Sequence, residues 1–295
     1  KDSTDNLMDR LKGEYKGIGV EITTNESGTV VMTVFENSPA EEAGIMVGDI
    51  ITKVKGVDVN GKTTSEVSNM IKSTNGNVEI EVNRGGITKT LTLKVSTVRI
   101  KSVIKNKYDK TGYLRIETFS NTTYKQFKEN LETLEKDGIE NLIVDVRNNG
   151  GGFLNSAVEI AELFVEKGKP IYGLQTKDKK EMYKDTTKEK RDYKVIVLIN
   201  GGSASASEVL AAALKESYGA TLLGTKSYGK GTVQDTSELE SGGMIKYTTA
   251  YWLTPKGVTI NEKGLTPDIE VTGSFKDGMT LENDVELQTA INNLK

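Results

Sequence analysis

Two stretches of this chain follow the same order: a short apolar run, a turn containing glycine, then a helical pattern. In the first, Leu142 to Val146 leads into Arg147-Asn148-Asn149-Gly150-Gly151-Gly152, and Leu154 to Phe164 follows with Ala157, Val158, Ala161 and Phe164 on one face. In the second, Val195 to Ile199 is broken by Asn200-Gly201-Gly202 and a Ser-Ala-Ser-Ala-Ser cluster, after which Val209, Leu210, Ala213 and Leu214 take helical spacing. Apolar runs this short suit strands buried on both faces. A strand joined through a helix to the next strand favours parallel pairing, which gathers ligands at the carboxyl ends of the strands. The two turns then share one rim. The second places small hydroxyl residues at a helix N-terminus, where outward amides and the helix dipole favour developing negative charge. Nucleophilic serines of hydrolases often occupy such a turn.

Composition narrows the chemistry. The chain has neither histidine nor cysteine, so a Ser-His-Asp triad, a cysteine nucleophile and a zinc site of the usual ligands are excluded within it. A serine nucleophile here needs a lysine, a carboxylate or the amino terminus as base. Burial lowers a lysine pKa from about 10.4 towards neutrality, leaving an amine that accepts a proton. Lys230, in Gly229-Lys230-Gly231 followed by Thr232-Val233-Gln234, has glycines on both sides that permit close backbone approach. Alone, such a tripeptide is more often a solvated turn. Ser203, Ser205 and Ser207 compete as nucleophile, and sequence physics does not separate them; one of the two remaining serines is expected to cap the helix. The glycines at 150–152 lack the ending of a P-loop and the spacing of a dinucleotide fingerprint. No cofactor and no metal are expected.

Residues 14 to 97 read as a separate β-rich domain. Ser38 caps a one-turn helix with Pro39 at its first position and Gly44 after it. Asp49–Val54 and Val57–Val59 flank a turn, Thr64–Ser73 is helical, and Val78–Val82 pairs with Thr88–Val95 around Arg84-Gly85-Gly86. In the remainder, 98 to 295, Gly112–Phe119 and Met244–Trp252 read as strands and Thr122–Lys136 and Asp284–Leu294 as helices. The lysine-dense stretch Thr176–Lys194 reads as a solvated loop or exposed hairpin. Residues 1 to 13 carry a small apolar stripe of Leu7, Met8 and Leu11, consistent with a short helical segment or a frayed end. The opening Lys1-Asp2-Ser3 suggests a trimmed piece of a longer chain. A net charge of −3 over 295 residues suggests neither a nucleic-acid nor an anionic-membrane surface. No apolar run approaches the ~20 residues of a membrane span.

The motifs themselves carry a resemblance. Asn200 to Glu208 with Gly224 to Gln234, Asp145 to Gly152, Trp252-Leu253-Thr254-Pro255-Lys256-Gly257 and Gly264 to Ile269 together resemble, in order, the core of the carboxyl-terminal processing peptidases, or tail-specific serine proteases. The match runs from about residue 14 almost to the end. Ser38-Pro39-Ala40-Glu41-Glu42-Ala43-Gly44, with Gly48-Asp49-Ile50-Ile51 after it, resembles a PDZ domain, whose glycine loop holds a peptide's terminal carboxylate while the peptide adds as a strand.

The resemblance implies an α/β, crotonase-like core with a mostly parallel sheet, joined to that PDZ domain. It aligns the nucleophile with Ser205, the general base with Lys230 and the residue that holds the lysine with Gln234. It implies an oxyanion hole from the amides of Gly151 and Ala206; Asp145 and Arg147 read as a structural pair near the turn rather than as directly catalytic residues. Gly17, Ile18, Gly19 and Val20 match the carboxylate loop. Arg84 is the candidate for coupling the PDZ domain to the active site, against the plainer reading of an exposed hairpin arginine. Expected partners are proteins or peptides engaged through their C-termini, with membrane association only through a segment absent here, and a homo-oligomer is compatible with the family. Family members are usually exported or membrane-anchored, so an extracytoplasmic location is expected, and a bacterial protein without cysteine fits it. Two other classes fit parts of the pattern: a catalytically silent PDZ-containing scaffold, and a crotonase-like acyl-CoA enzyme.

Overall fold

A computed structural model describes residues 12–238, 244–273 and 275–295. The helical segment expected at 1–13 lies, apart from its last two residues, outside them. The chain divides into two compact units, Lys1–Ile100 and Lys101–Lys295.

In the first unit β1 (Glu14–Gly17), β2 (Val20–Asn25), β3 (Gly28–Val34), α1 (Pro39–Glu42), β4 (Ile50–Val54), β5 (Val57–Asp58), α2 (Thr64–Lys72), β6 (Asn77–Arg84), β7 (Ile87–Lys94) and β8 (Ser96–Arg99) follow in order. Strands β2-β3-β4-β6-β7 form an antiparallel sheet with β5 on β4, while β1 pairs with β8. The Ser38 cap stands where the sequence places it. Ser38 caps α1 and accepts from the Glu41 amide, and Thr63 forms a reciprocal capping box with Glu66 at the start of α2. The core gathers Ile18, Val31, Ile51, Val54, Val67, Val78, Ile80 and Val82.

The second unit contains β9 (Val103–Tyr108), β10 (Thr111–Ile116), α3 (Thr123–Lys136), β11 (Asn141–Asp145), α4 (Leu154–Glu162), β12 (Pro170–Gln175), β13 (Lys180–Lys184), β14 (Lys194–Ile199), α5 (Ala206–Ala213), β15 (Thr221–Gly224), β16 (Thr232–Glu238), β17 (Met244–Leu253), β18 (Ile269–Glu270) and α6 (Val285–Leu294). Its main sheet has the order β18-β15-β14-β11-β10-β9. All neighbours are parallel except the edge pair β9–β10. Leu142 and Val144 of β11 pack with α3, α4 and α5 on one face, while Ile143 meets Leu287, Ala290 and Leu294 of α6 on the other. Burial on both faces explains the unbroken apolar runs.

Asp145 stands opposite Leu198, so β11 and β14 end side by side and their two turns emerge at one rim, as expected. A second, antiparallel sheet, β13-β12-β17-β16, was not legible in full: β17 alone reads as a strand, and the lysine-dense stretch supplies β13 as an exposed hairpin arm on β12.

Candidate active site

The serine cluster opens on α5, and the structure separates its three hydroxyls. Ser203 Oγ donates to the Val146 carbonyl at 2.8 Å and accepts from the Asn200 amide at 3.0 Å. Ser207 Oγ donates to the Asn149 carbonyl at 2.8 Å. Both are fully buried, and both tie the serine turn to the glycine turn after β11. Ser205 between them is only half-buried. It, rather than Ser203 or Ser207, occupies the N-cap position of α5, which corrects the expectation for the cap. Its φ of +57° and ψ of −118° lie where a side chain is strained, and such strain persists only where the surroundings over-determine the backbone.

Glu208, one turn into α5 and 0% exposed, supplies much of that determination. Its Oε2 accepts from the amides of Ser205 at 3.0 Å and Lys230 at 2.9 Å. Its Oε1 accepts from Ser227 Oγ at 2.6 Å and the Gly229 amide at 2.7 Å. One buried carboxylate thus joins the serine elbow to the lysine turn. Charge-assisted bonds of this kind are roughly twice as strong as neutral ones. Sequence reasoning gave Glu208 no role, although Ser205-x-x-Glu208 carries the spacing of a capping box.

The glycine turn lies against the elbow. A Cβ added to Gly151, at φ +105°, would stand 2.9 Å from both the Ala204 carbonyl oxygen and Ser205 Cβ, and 3.1 Å from the Ala206 nitrogen. Only glycine fits there. Of the two expected oxyanion donors, the Ala206 amide, at the first position of α5, has no acceptor among the described residues. The Gly151 amide does have one: it donates to Asn149 Oδ1 at 2.9 Å. Asn149 is itself 1% exposed and held by its Nδ2 on the Ile116 carbonyl. The structure therefore brings Gly151 to the elbow but occupies its N–H.

Lys230 departs from expectation. It is exposed rather than buried, and its ammonium forms no ion pair or hydrogen bond among the described residues. The physical reason is local: Glu208 anchors its backbone, and glycines on either side provide no side chains to wall it in. The close approach expected of those glycines is present, since a Cβ on Gly231 would fall 2.3 Å from the Asn261 nitrogen. Gln234 is also exposed and hydrogen-bonds neither Lys230 nor Ser205; it sits in β16 directly after an irregularity in register at Val233/Gln234.

In the first unit Gly17, Ile18 and Val20 line a small cleft with Ile22 of β2 and Ser68, Ile71 and Lys72 of α2. The Ile18 carbonyl accepts from the Ala40 amide and the Gly19 carbonyl from the Phe35 amide, which fixes the loop. Arg84 is not an exposed hairpin arginine. Its Nε and Nη2 bind the two oxygens of Asp49 at 2.6 and 2.7 Å, and Nη2 also reaches the Gly44 carbonyl at 2.7 Å. Asp49 is 1% exposed, and the hydrogen-bonded guanidinium holds its carboxyl below the ordinary range.

Asp145 and Arg147 pair as expected, at full burial and 2.5 Å. Among the described residues no group of histidine, cysteine, aspartate and glutamate is arranged to hold a metal ion, and none of their helices is long and apolar enough to cross a membrane.

Comparison with known proteins follows the same division. Residues 110–271 match the family model described as peptidase family S41, and residues 17–95 match that of a PDZ domain. A probable CtpA-like serine protease of Staphylococcus haemolyticus is 36% identical over 275 residues, covering 92% of this chain and 55% of the relative. Its Staphylococcus aureus counterpart is 38% identical with the same coverage. The chain thus spans about half the length of the curated relatives it matches. Among solved structures, the photosystem II D1 C-terminal processing protease superposes with a TM-score of 0.56 at 30% identity, covering 92% of this chain and 76% of that one.

Proposed function

The chain belongs to peptidase family S41, and from that premise we propose that it is a serine endopeptidase working through Ser205 and Lys230 on protein tails. The observation that carries this reading is the Glu208 carboxylate, which joins the Ser205 and Lys230 amides in one site. Ser205 Oγ attacks the scissile carbonyl. Lys230, as the uncharged amine, takes the hydroxyl proton and passes it to the leaving amine, and water then releases the acyl group. The developing oxyanion is met by the Ala206 amide, which has no acceptor among the described residues, and by Gly151 once Asn149 Oδ1 yields its N–H. Each such donor contributes about 2.7–4 kcal/mol to the transition state.

Because Lys230 is exposed and its ammonium has no partner among the described residues, turnover requires its side chain to swing onto Ser205, with bound substrate excluding water from it. In that state Gln234 holds the lysine without adding a charge. The PDZ unit captures the substrate's C-terminus in the cleft between β2 and α2 and gates activity, and the protein works outside the cytoplasm.

The test is digestion of casein by the parent chain, Ser205→Ala and Lys230→Ala. Cleavage by the parent alone supports the dyad. An active Lys230→Ala variant would sink it.

A further inference from the structure

Arg147 opens the turn that carries Gly151, and every N–H of its fully buried guanidinium has an acceptor. Nε donates to both oxygens of Asp145 at 3.0 Å. Nη2 donates to Asp145 Oδ2 at 2.5 Å and Asp284 Oδ2 at 2.7 Å. Nη1 donates to Asp284 Oδ1 at 2.9 Å and Glu286 Oε2 at 2.6 Å. The Phe275 ring lies 3.9 Å from the guanidinium carbon. Two of the three carboxylates come from the start of α6, 137 and 139 residues further along the chain. Asp284 is also the cap of that helix, accepting from the Leu287 amide.

Resting on the peptidase reading, we propose that Asp284 and Glu286 are positioning residues for the oxyanion turn, acting through Arg147. The turn is gripped from two sides. From the α5 side, Ser203 and Ser207 hold the Val146 and Asn149 carbonyls. From the α6 side, Arg147 is fixed in one orientation, and Asp145 Oδ1 accepts its backbone amide at 2.9 Å. Three carboxyl groups crowd one guanidinium at near-complete burial, which pushes the Glu286 carboxyl up, and an apolar cluster of equal volume often matches or exceeds such an arrangement in stability. What the planar five-donor fork supplies is direction. It sets the path of the backbone from Asp145 through Asn148, which holds φ +57°, to Gly151. The placement of Gly151 against Ser205 and Ala206 thus depends on the first turn of the C-terminal helix. A misplacement of about 1 Å at such a site costs about a hundredfold in rate.

The experiment uses the full chain with Asp284→Asn, Glu286→Gln and, as control, Ala290→Gly. Asparagine caps a helix as well as aspartate, so Asp284→Asn keeps α6 while turning an amide towards the guanidinium. Ala290→Gly loosens α6 at a fully buried site one turn beyond Glu286, at a residue that makes no hydrogen bond to Arg147. Expected is a fall in kcat of about tenfold to a hundredfold for the two carboxylate variants, with KM within about twofold. Hydrogen exchange across residues 147–153 should quicken in both, while the control keeps parental kcat and exchange there. The proposal is overturned if kcat per folded molecule is unchanged in both carboxylate variants, if exchange across 147–153 is unchanged, or if Ala290→Gly lowers kcat equally, since that assigns α6 a structural role only. A parent that cleaves nothing defeats the peptidase reading instead, and the exchange data alone then decide whether α6 orders the turn.

Discussion

Glu208 shows how much one side chain can organise. Four donors converge on its two oxygens, and two of them are the amides of the residues proposed as nucleophile and base. Replacing it with glutamine turns one oxygen into an NH2 group that must face two donors. Whichever way the amide is oriented, N–H groups in the buried site lose their acceptor, at about 1–3 kcal/mol for each group left unsatisfied. Glu208→Gln should therefore lower the melting temperature and reduce kcat more than KM, while Glu208→Asp, which keeps the charge, should recover part of the rate. Equal kcat in the parent and Glu208→Gln, measured on one peptide substrate, would refute this account of the site. Part of Glu208's role is local and legible, because a glutamate three residues after a cap serine is a recognisable spacing. Its other bonds reach 19 to 22 residues ahead, and no local pattern encodes them. The same limit applies to Ser203, Ser205 and Ser207, which are equivalent in sequence and become distinct only when the turn after β11 arrives to take two of their hydroxyls.

At the scale of elements, parallel strands β15 and β18 are too short to read from the sequence, while β10, β11 and β14 and the helices were legible from an apolar run, helical spacing or a cap residue. The antiparallel sheet β13-β12-β17-β16 was largely not, since β12 and β16 lack a long apolar signature and are set by their partners. The burial of Lys230 was misjudged for a related reason: flanking glycines permit close approach without specifying which side chain it covers. Arg84 and Asp49 give a second case of long-range pairing, between the end of β6 and the loop before β4, and it carries a pH signature. The Arg84 hydrogen bonds lower the folded-state pKa of Asp49 below its unfolded value of about 3.9. The unfolded state then binds more protons on acidification, so the pair's contribution is fully present above the unfolded pKa and is lost as pH falls through the folded one. Arg84→Gln should therefore be less stable than the parent at neutral pH in urea titrations, with the gap closing below about pH 4. A gap that stays constant from neutral pH to acid would assign the cost of the substitution to packing rather than to the ion pair.

At the scale of the whole molecule, two units with separate cores and separate sites imply separable functions. Family membership rests on the second unit, whose matched segment spans its parallel sheet, whereas the expected tail capture rests on the first. A Cβ added to Gly19, at φ +89°, would fall only 2.2 Å from the Ser38 Cβ, so Gly19→Val must displace the loop at 17–20 from the cap of α1. If the first unit captures tails, this variant should raise KM for a protein substrate with a free apolar C-terminus several-fold, as should amidating that C-terminus in the parent reaction. Turnover of a short peptide too small to span both sites should be unchanged. Ser205→Ala should do the reverse, abolishing turnover of either substrate while leaving C-terminal peptide binding at parental strength in calorimetry. A Gly19→Val variant that loses short-peptide cleavage as well would show that the loop matters to the chemistry itself. Unchanged KM for the tailed protein would remove tail capture from the account, leaving an S41 peptidase that finds its substrates through the second unit.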